Sequence, residues 1–325
     1  MLEHYHIEKR NEDVFVKEGL RMNKESMYLL GIDIGGSKVS ISIGDFSGVI
    51  LDRTRFPTPG TYDEFLELSF ALVARYMQRQ PIGAIGISCA GPLDTKKGRI
   101  LSPANLPSFN GVPIVNDFIV QFHLPVFLEN DANASALAEW KWGNGRGKKN
   151  IIFLTFGTGL AAGLILDGKL YRGATGFAGE VGHVRLSKKG PSCHRKTGSF
   201  ESFCSGKGLS CLFEFNHGVS YTAKEICEKA AQGDEKALAV IDKSATYLGK
   251  GIAMLCDILN PECIIIGSIY SQAEDLFKSK MIEVLHTEAL SETVEALEIF
   301  PCWLKDDLGD MAALGVAFNG LQANK

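Results

Sequence analysis

Residues 151–183 read IIFLTFGTGLAAGLILDGKLYRGATGFAGEVGH, and the fold class turns on how the glycines in this stretch are read. The opening IIFLTF is a short apolar run of the kind that forms a buried strand. Gly157-Thr158-Gly159 follows, then a second apolar run, LAAGLIL, which stops at the turn pair Asp167-Gly168. The alternative is the glycine loop of a dinucleotide-binding fold, which has to open a helix. Four glycines fall between Gly157 and Gly168, and a run of about ten residues so rich in glycine makes no sound helix. The segment therefore reads as strand, glycine turn, strand. Small residues at such a turn leave backbone N–H groups bare, which suits the close approach of an anionic phosphate. Glu180 and His183, at the end of the stretch, are side chains able to hydrogen-bond hydroxyls.

The same pattern occurs earlier. From Met27 the chain reads MYLLGIDIGGSKVSISIGDFSG: an apolar strand, a glycine turn, an alternating strand and a second turn. A shift of 122 residues puts Gly35 on Gly157, Gly36 on Thr158, Ser37 on Gly159 and Asp45 on Asp167. Any two glycine hairpins look partly alike. Two such hairpins that each open an α/β unit nevertheless imply a ligand gripped in the cleft between the units.

Between and beyond the hairpins, strands alternate with helices, the pattern of an α/β protein. Residues 62–80 have helical spacing, PIGAIGISCAGPLD is a buried strand ending at Gly91-Pro92, and SPANLPSFNGVPI is a loop whose most ligand-like side chain is Asn105. LPVFLENDANASALAEW is a strand running into a helix, with Glu129-Asn130-Asp131 at the strand's carboxyl end, where α/β sheets place ligands. From the local sequence, Asp131 reads equally as a ligand contact and as the helix cap, a role open to Asn133 too. WGNGRGKKN is a connector and hinge, and residues 188–208 read as an irregular polar loop. Helices over 222–232 and 235–260 follow, then the strand CIIIGS ending at Gly267-Ser268, a further helix, a strand near 297–303 and a closing helix over 308–321.

A net charge of −4, from 34 basic and 38 acidic residues well mixed along 325 positions, gives no basic face, so nucleic acid is not an expected partner. No apolar run is long enough to span a membrane, and the charged N-terminus lacks the core of a secretory signal. Eight scattered cysteines, several within apolar runs, read as reduced core residues of a cytoplasmic protein.

GIDIGGSK, GPLD, SPANL, ENDAN, GTGLAAG, AGEVGH and a late FES, in that order, resemble the ROK family (repressors, open reading frames and sugar kinases) over residues 28 to 320. The resemblance implies the two-domain actin-like ATPase (ribonuclease H-like) fold, with mixed sheets flanked by helices and a central cleft. It divides the chain into a leader over 1–27, an N-terminal domain over 28–143 and a larger C-terminal domain over 144–307, with the helix at 308–325 packing back on the first domain. It further implies an ATP-dependent hexose kinase, glucose first, with N-acetylmannosamine, N-acetylglucosamine, mannose or fructose as alternatives, and a homodimer. Asp131 becomes the general base. Asp33, Gly35, Gly36, Ser37, Lys38, Gly157, Thr158, Gly159, Gly267 and Ser268 bind the nucleotide, and Asp33 serves Mg²⁺ through a water. Gly91, Asn105, Asn130, Asp131, Glu180, His183 and Glu201 contact the sugar.

Two departures stand out. Where the family shows a C-x-C-G-x-x-G-C zinc knuckle, this chain reads CHRKTGSFE. Cys193 matches the first cysteine, but Arg195 and Ser199 stand near the other positions, after an apparent one-residue deletion. His183, Cys193, His194 and Cys204 make only an irregular set, so loss of structural zinc is expected, with some other packing holding the loop. Gly267-Ser268 also carries less glycine than the family usually shows. Part of the family represses transcription through a helix-turn-helix segment ahead of the first hairpin, and a 27-residue leader reads as too short for one. A sugar sensor without turnover is the remaining alternative; the presence of Asp33, Asp131 and both glycine turns speaks against it.

Overall fold

A computed structural model of the chain describes residues 27–103, 105–193 and 196–323. The leader expected over 1–27 lies almost wholly outside the described residues, as do His194 and Arg195.

The two apolar-glycine-apolar stretches fold alike. β1 (Tyr28–Ile34) turns at Gly35-Gly36 into β2 (Lys38–Gly44), and the two pair antiparallel from Leu29↔Gly44 to Ile34↔Val39. β3 (Ile50–Pro57) pairs antiparallel with β2 as the edge strand. α1 (Tyr62–Met77) starts at Thr61, whose hydroxyl accepts the N–H of Glu64, and is followed by β4 (Ile82–Cys89), parallel to β1. The two-residue strands β5 (Leu93–Asp94) and β6 (Arg99–Ile100) lead to α2 (Ile114–Phe122) and β7 (Val126–Asn130), parallel to β4. The first sheet runs β3-β2-β1-β4-β7.

α3 (Asp131–Trp142) then carries the chain to the second sheet. β8 (Ile151–Phe156) and β9 (Leu160–Leu166) are the second glycine hairpin, antiparallel from Ile151↔Ile165 to Phe156↔Leu160. This hairpin is incompatible with a dinucleotide-type helix. Asp167 and Gly168 both take positive φ, 50° and 70°, as a tight two-residue turn into β10 (Lys169–Leu170) demands. β13 (Cys263–Ile266) pairs parallel with β8, and β14 (Glu298–Pro301) with β13. The order β10-β9-β8-β13-β14 repeats the first sheet's connectivity strand for strand. The duplicated hairpin is thus the visible end of a duplicated sheet.

The segment expected to be an irregular loop over 188–208 is partly ordered. It holds the small hairpin β11 (Ser192–Cys193) and β12 (Lys196–Thr197), α4 (Phe200–Phe203) and the start of α5 (Gly206–His217). α6 (Ala223–Ala231), α7 (Glu235–Leu259), α8 (Ile269–Glu288) and α9 (Ser291–Glu295) cover the outer face of the second sheet. α10 (Leu308–Ala323) packs on α3, β1 and β4.

Three apolar layers hold this arrangement. One lies between the first sheet and α1–α2, a second between the second sheet and α4–α9, and the third joins the sheets through α3 and α10. That middle layer is rich in alanine and glycine because backbone meets backbone there. A Cβ on Gly86 would stand 2.1 Å from the carbonyl oxygen of Ala313, and one on Gly163 2.3 Å from that of Ala132. Close seating of α3 and α10 fixes where the end of β7 and the start of α3 sit, which is where the candidate chemistry collects.

Candidate active site

Parallel register brings the first polar groups into line. Asp33 on β1 is opposite Ser88 on β4, and Ser88 is opposite Glu129 on β7. Ser88 hydrogen-bonds the Asp33 carboxylate. Burial is the main reason that Asp33 is pushed up from its ordinary 3.8 to about 6; the Ser88 bond opposes it, and the charges of Asp131 and Asp310 add to it. Glu129 is buried and fully engaged. Its Oε1 accepts the N–H of Asn130 at 3.0 Å and the amide of Asn133 at 3.0 Å, and its Oε2 accepts Arg172 Nε at 2.6 Å. Arg172 follows β10, so this ion pair ties the end of the first sheet to the second.

The β7–α3 junction resolves the cap question. Asn130 is the N-cap; its Oδ1 accepts the N–H of Ala132 at 3.0 Å. Asn133 is buried and donates to Glu129 instead. Asp131 also accepts from Ala132 N–H, at 2.9 Å, and the residue is exposed. Protein still surrounds the carboxyl closely, and this desolvation raises its pKa, with the Glu180 charge adding to the rise and the Ala132 and Asn130 bonds opposing it. Because Asn130 already caps the helix, Asp131 is available for something else.

Next to it is a cleft of about 580 Å³ lined by Gly91, Asn130, Glu129, Asn133, Glu180 and His183 on its polar side and by Pro92, Leu93 and Phe177 on its apolar side. His183 Nε2 lies 3.8 Å from Glu180 Oε2. Of the expected sugar contacts, Gly91, Asn130, Glu180 and His183 are therefore gathered around one cavity, with Asp131 close enough to Glu180 to feel its charge.

Asn105 and Glu201 are elsewhere, each against a glycine turn. A Cβ on Gly36 would be 2.9 Å from that of Asn105. Glu201, in the first turn of α4, accepts the N–H of Leu160 at 3.0 Å, and a Cβ on Gly159 would stand 2.8 Å from its Oε2. The turns are held by their carbonyls. Gly35 O accepts the Thr58 hydroxyl at 2.7 Å, and Gly157 O accepts the N–H of Gly206, the first residue of α5, at 2.7 Å. Gly36, Ser37, Lys38 and Thr158 are exposed. Gly157 abuts Ser268, whose Oγ would lie 3.2 Å from a Cβ there. Gly267 itself is buried against Phe153 and donates to Leu154 O at 2.9 Å, so of that pair only Ser268 reaches the surface.

The loop at the altered knuckle is tied by bonds within its own chain. Leu186 and Ser187 N–H both reach Gly198 O, at 2.9 and 3.0 Å, Phe200 N–H reaches Val184 O at 2.7 Å, and Phe200 and Phe203 are buried beneath it. The Ser199 hydroxyl caps α4 by accepting from Ser202 N–H, and Cys193 is buried against the thiol of Cys211, burial pushing it up to about 12. Among the described residues no three His, Cys, Asp or Glu side chains stand close enough to hold a metal ion. No described helix is long and apolar enough to cross a membrane.

Two five-stranded mixed sheets of identical order, joined through helices and each opening on a glycine turn, define a mixed α/β protein of the actin-like ATPase fold. The ROK family model matches residues 29–318, and the chain belongs to that family. It is 32% identical over 309 residues to the xylose repressor of Caldicellulosiruptor bescii (88% of this chain, 77% of that protein). It is 30% identical over 306 residues to the glucokinase of Halalkalibacterium halodurans (87% and 92%). Its fold superimposes with a TM-score of 0.73 on the ROK glucokinase of Streptomyces griseus in complex with glucose and AMPPNP, at 29% identity and 89% and 99% coverage.

Sequence reading did not reach Arg172, Ser88 or the buried tie from Glu129 to Asn133. Glu129 stood out only by its place at a strand end, and Arg172, in the loop after Asp167-Gly168, carries no local signal.

Proposed function

We propose that this chain is an ATP-dependent hexose kinase that transfers the γ-phosphoryl group to the sugar's 6-hydroxyl, with glucose the first substrate to test. N-acetylmannosamine, N-acetylglucosamine, mannose and fructose are the alternatives. The observation that carries this reading is Asp131: an exposed carboxylate at the start of a helix that Asn130 caps, next in sequence to a residue lining a cleft of hydroxyl-binding side chains, and raised above its usual range. A raised pKa makes it a better proton acceptor at the moment of attack. As the 6-oxygen bonds to the γ-phosphorus, its proton passes to Asp131, the bond to the bridging oxygen breaks, and ADP leaves. Phosphoryl transfer depends chiefly on positioning and charge neutralisation, which suits one base and many backbone donors.

In this reading Glu180, His183, Asn130 and the Gly91 backbone orient the sugar. Asn105 and Glu201 shape the glycine turns and meet the substrate from them. Gly35, Gly36, Ser37, Lys38, Gly157, Thr158 and Gly159 receive the phosphates, and Ser268 borders the nucleoside. Asp33 suits Mg²⁺: magnesium takes carboxylate oxygens and keeps several waters, and a nearby cation would favour the ionised form of a carboxyl that titrates near 6. When bound, that ion would neutralise phosphate charge. Eight unpaired cysteines suit a cytoplasmic enzyme, and a homodimer is part of the same reading.

Similarity to a xylose repressor favours a second reading, a sugar sensor without turnover. A coupled ADP-release assay across the hexoses named above, with xylose as the arm that lacks a 6-hydroxyl, separates the two. Turnover with a hexose and none with xylose supports the kinase. Sugar binding without ADP release from any hexose supports the sensor.

A further inference from the structure

α3 carries Asp131 at its start and, two turns on, a second carboxylate that the proposed chemistry does not use. Glu139 is completely buried in a helix otherwise packed through alanine and leucine. Its Oε2 accepts the N–H of Asn144 at 2.8 Å. Its Oε1 accepts the N–H groups of Trp303 at 2.7 Å and Leu304 at 3.1 Å, and the thiol of Cys302 at 3.1 Å. Burial, with this carboxylate beside it, pushes Cys302 up to about 12, so the thiol keeps the proton it donates.

These partners are not scattered. Asn144 is where the chain leaves α3 for the second sheet, and residues 302–304 are where it returns from β14 towards α10 and the first sheet. The two crossings also touch directly, through Asn144 Nδ2 to Pro301 O at 3.0 Å. Glycine at 143 makes room, since a Cβ there would fall 1.9 Å from Glu139 Oε2. From the return crossing the bonds continue: Cys302 N–H reaches Ser271 Oγ at 3.1 Å and Ile266 O at 2.9 Å. Ser271 lies in the first turn of α8, the helix that starts after Ser268. A hydrogen-bonded path thus joins the helix of Asp131 to the first turn of α8, three residues beyond Ser268, the residue against Gly157.

We infer that Glu139 is a positioning residue that fastens both chain crossings into one hinge, so that the ends of the path, the helix of Asp131 and the first turn of α8, move together when the cleft closes on its ligands. A carboxylate suits the task because it accepts from both crossings at once, and every alternative side chain of its size brings a donor or leaves an N–H unpaired. The inference rests on the kinase reading for its ligands but not for its geometry.

The chain supplies its own reporter, for its three tryptophans, Trp140, Trp142 and Trp303, all stand at or beside the crossings. In the wild-type chain without ligand, amide exchange at Asn144, Trp303 and Leu304 should run through one opening, with protection equal within about threefold, as in a single cooperative unit. Separate openings at the two crossings overturn the inference, whatever the protein phosphorylates. Tryptophan emission titrated with glucose, with and without AMP-PNP, then measures the coupling between the two sites. The nucleotide should tighten glucose binding at least threefold in the wild type. In Glu139→Gln, whose amide sets a donor against one crossing, this ratio should fall towards one while glucose affinity alone stays within about threefold. A folded Glu139→Gln protein that is merely less stable, with the ratio unchanged, overturns the inference. If that variant does not fold, Asn144→Ala keeps the carboxylate and cuts only the tie to Pro301; it must lower the ratio, and an unchanged ratio overturns the inference. A wild-type chain whose emission answers to no hexose counts against the kinase reading, and exchange at the three amides still decides the hinge.

Discussion

Asp33→Asn should make this protein more stable and less active, and the size of the gain follows from where Asp33 sits. In the fold its carboxyl titrates near 6; in the unfolded chain it returns to its ordinary 3.8. Between those two values the folded state holds the proton that the unfolded state has lost, so stability falls as pH rises through this window and is level above it. A difference of about two pH units amounts to about 3 kcal/mol. Asparagine carries no charge into the site and still offers an oxygen to Ser88, so the variant recovers most of that cost, about 1–3 kcal/mol at pH 7. Urea unfolding of both proteins, followed by tryptophan emission at pH 4 to 8, tests the sign and the size together. The gap should be near zero at pH 4, widen to pH 6 and hold above it, while turnover at pH 7 is lost. A gap of the same size at every pH, or a variant less stable at pH 7, would refute the reasoning.

Other consequences concern separate parts of the molecule. Asp131→Ala should lower kcat by about 10²–10⁴, yet leave stability within about 1 kcal/mol of wild type, since Asn130 keeps the helix cap and removing a desolvated carboxyl offsets the lost Ala132 bond; near wild-type turnover would remove it as the base. Gly86→Ala drives a methyl into the backbone of α10 and should destabilise by about 2–4 kcal/mol, measured as a fall in melting temperature; an unchanged value would mean that α10 is not seated on β4. Arg172→Ala leaves the buried Glu129 carboxylate without its half-exposed cation and should cost about 1–3 kcal/mol, read by urea unfolding. Chelation by EDTA should leave the melting temperature where it was, because the 184–200 loop is tied by backbone bonds and two buried phenylalanines; a clear drop would restore a structural metal.

What the sequence disclosed follows from the range of the forces involved. Both hairpins were legible because each is local: an apolar run, small residues at the turn and a second run. Asp167-Gly168 announced its tight turn in the same way. β3 escaped notice because ILDRTRFP is an edge strand, most of its residues facing solvent, whose arginines serve Asp307 and Asp310 far along the chain. α2 carried no assignment because it is short and follows Pro113 and a run of turn formers, and α5 because its first turn reads Gly-Lys-Gly at the end of the 188–208 loop reading. At the site, residue types at strand ends were readable, but their partners were not. Glu201 and Asn105 carry hydroxyl-binding groups, and only the fold shows that they sit against glycine turns rather than in the main cleft. The knuckle's residues signalled a changed loop; the backbone bonds within it run between positions a dozen or so residues apart.

The most direct test of the kinase account is to incubate the full chain with ATP, Mg²⁺ and glucose, and to weigh the sugar by mass spectrometry, with Asp131→Ala alongside. The account predicts a hexose monophosphate formed in equal amount to ADP by the wild type, and sugar bound but unaltered in the variant. Sugar bound by the wild type, with ATP intact and no phosphorylated product from any hexose of the panel, would contradict it.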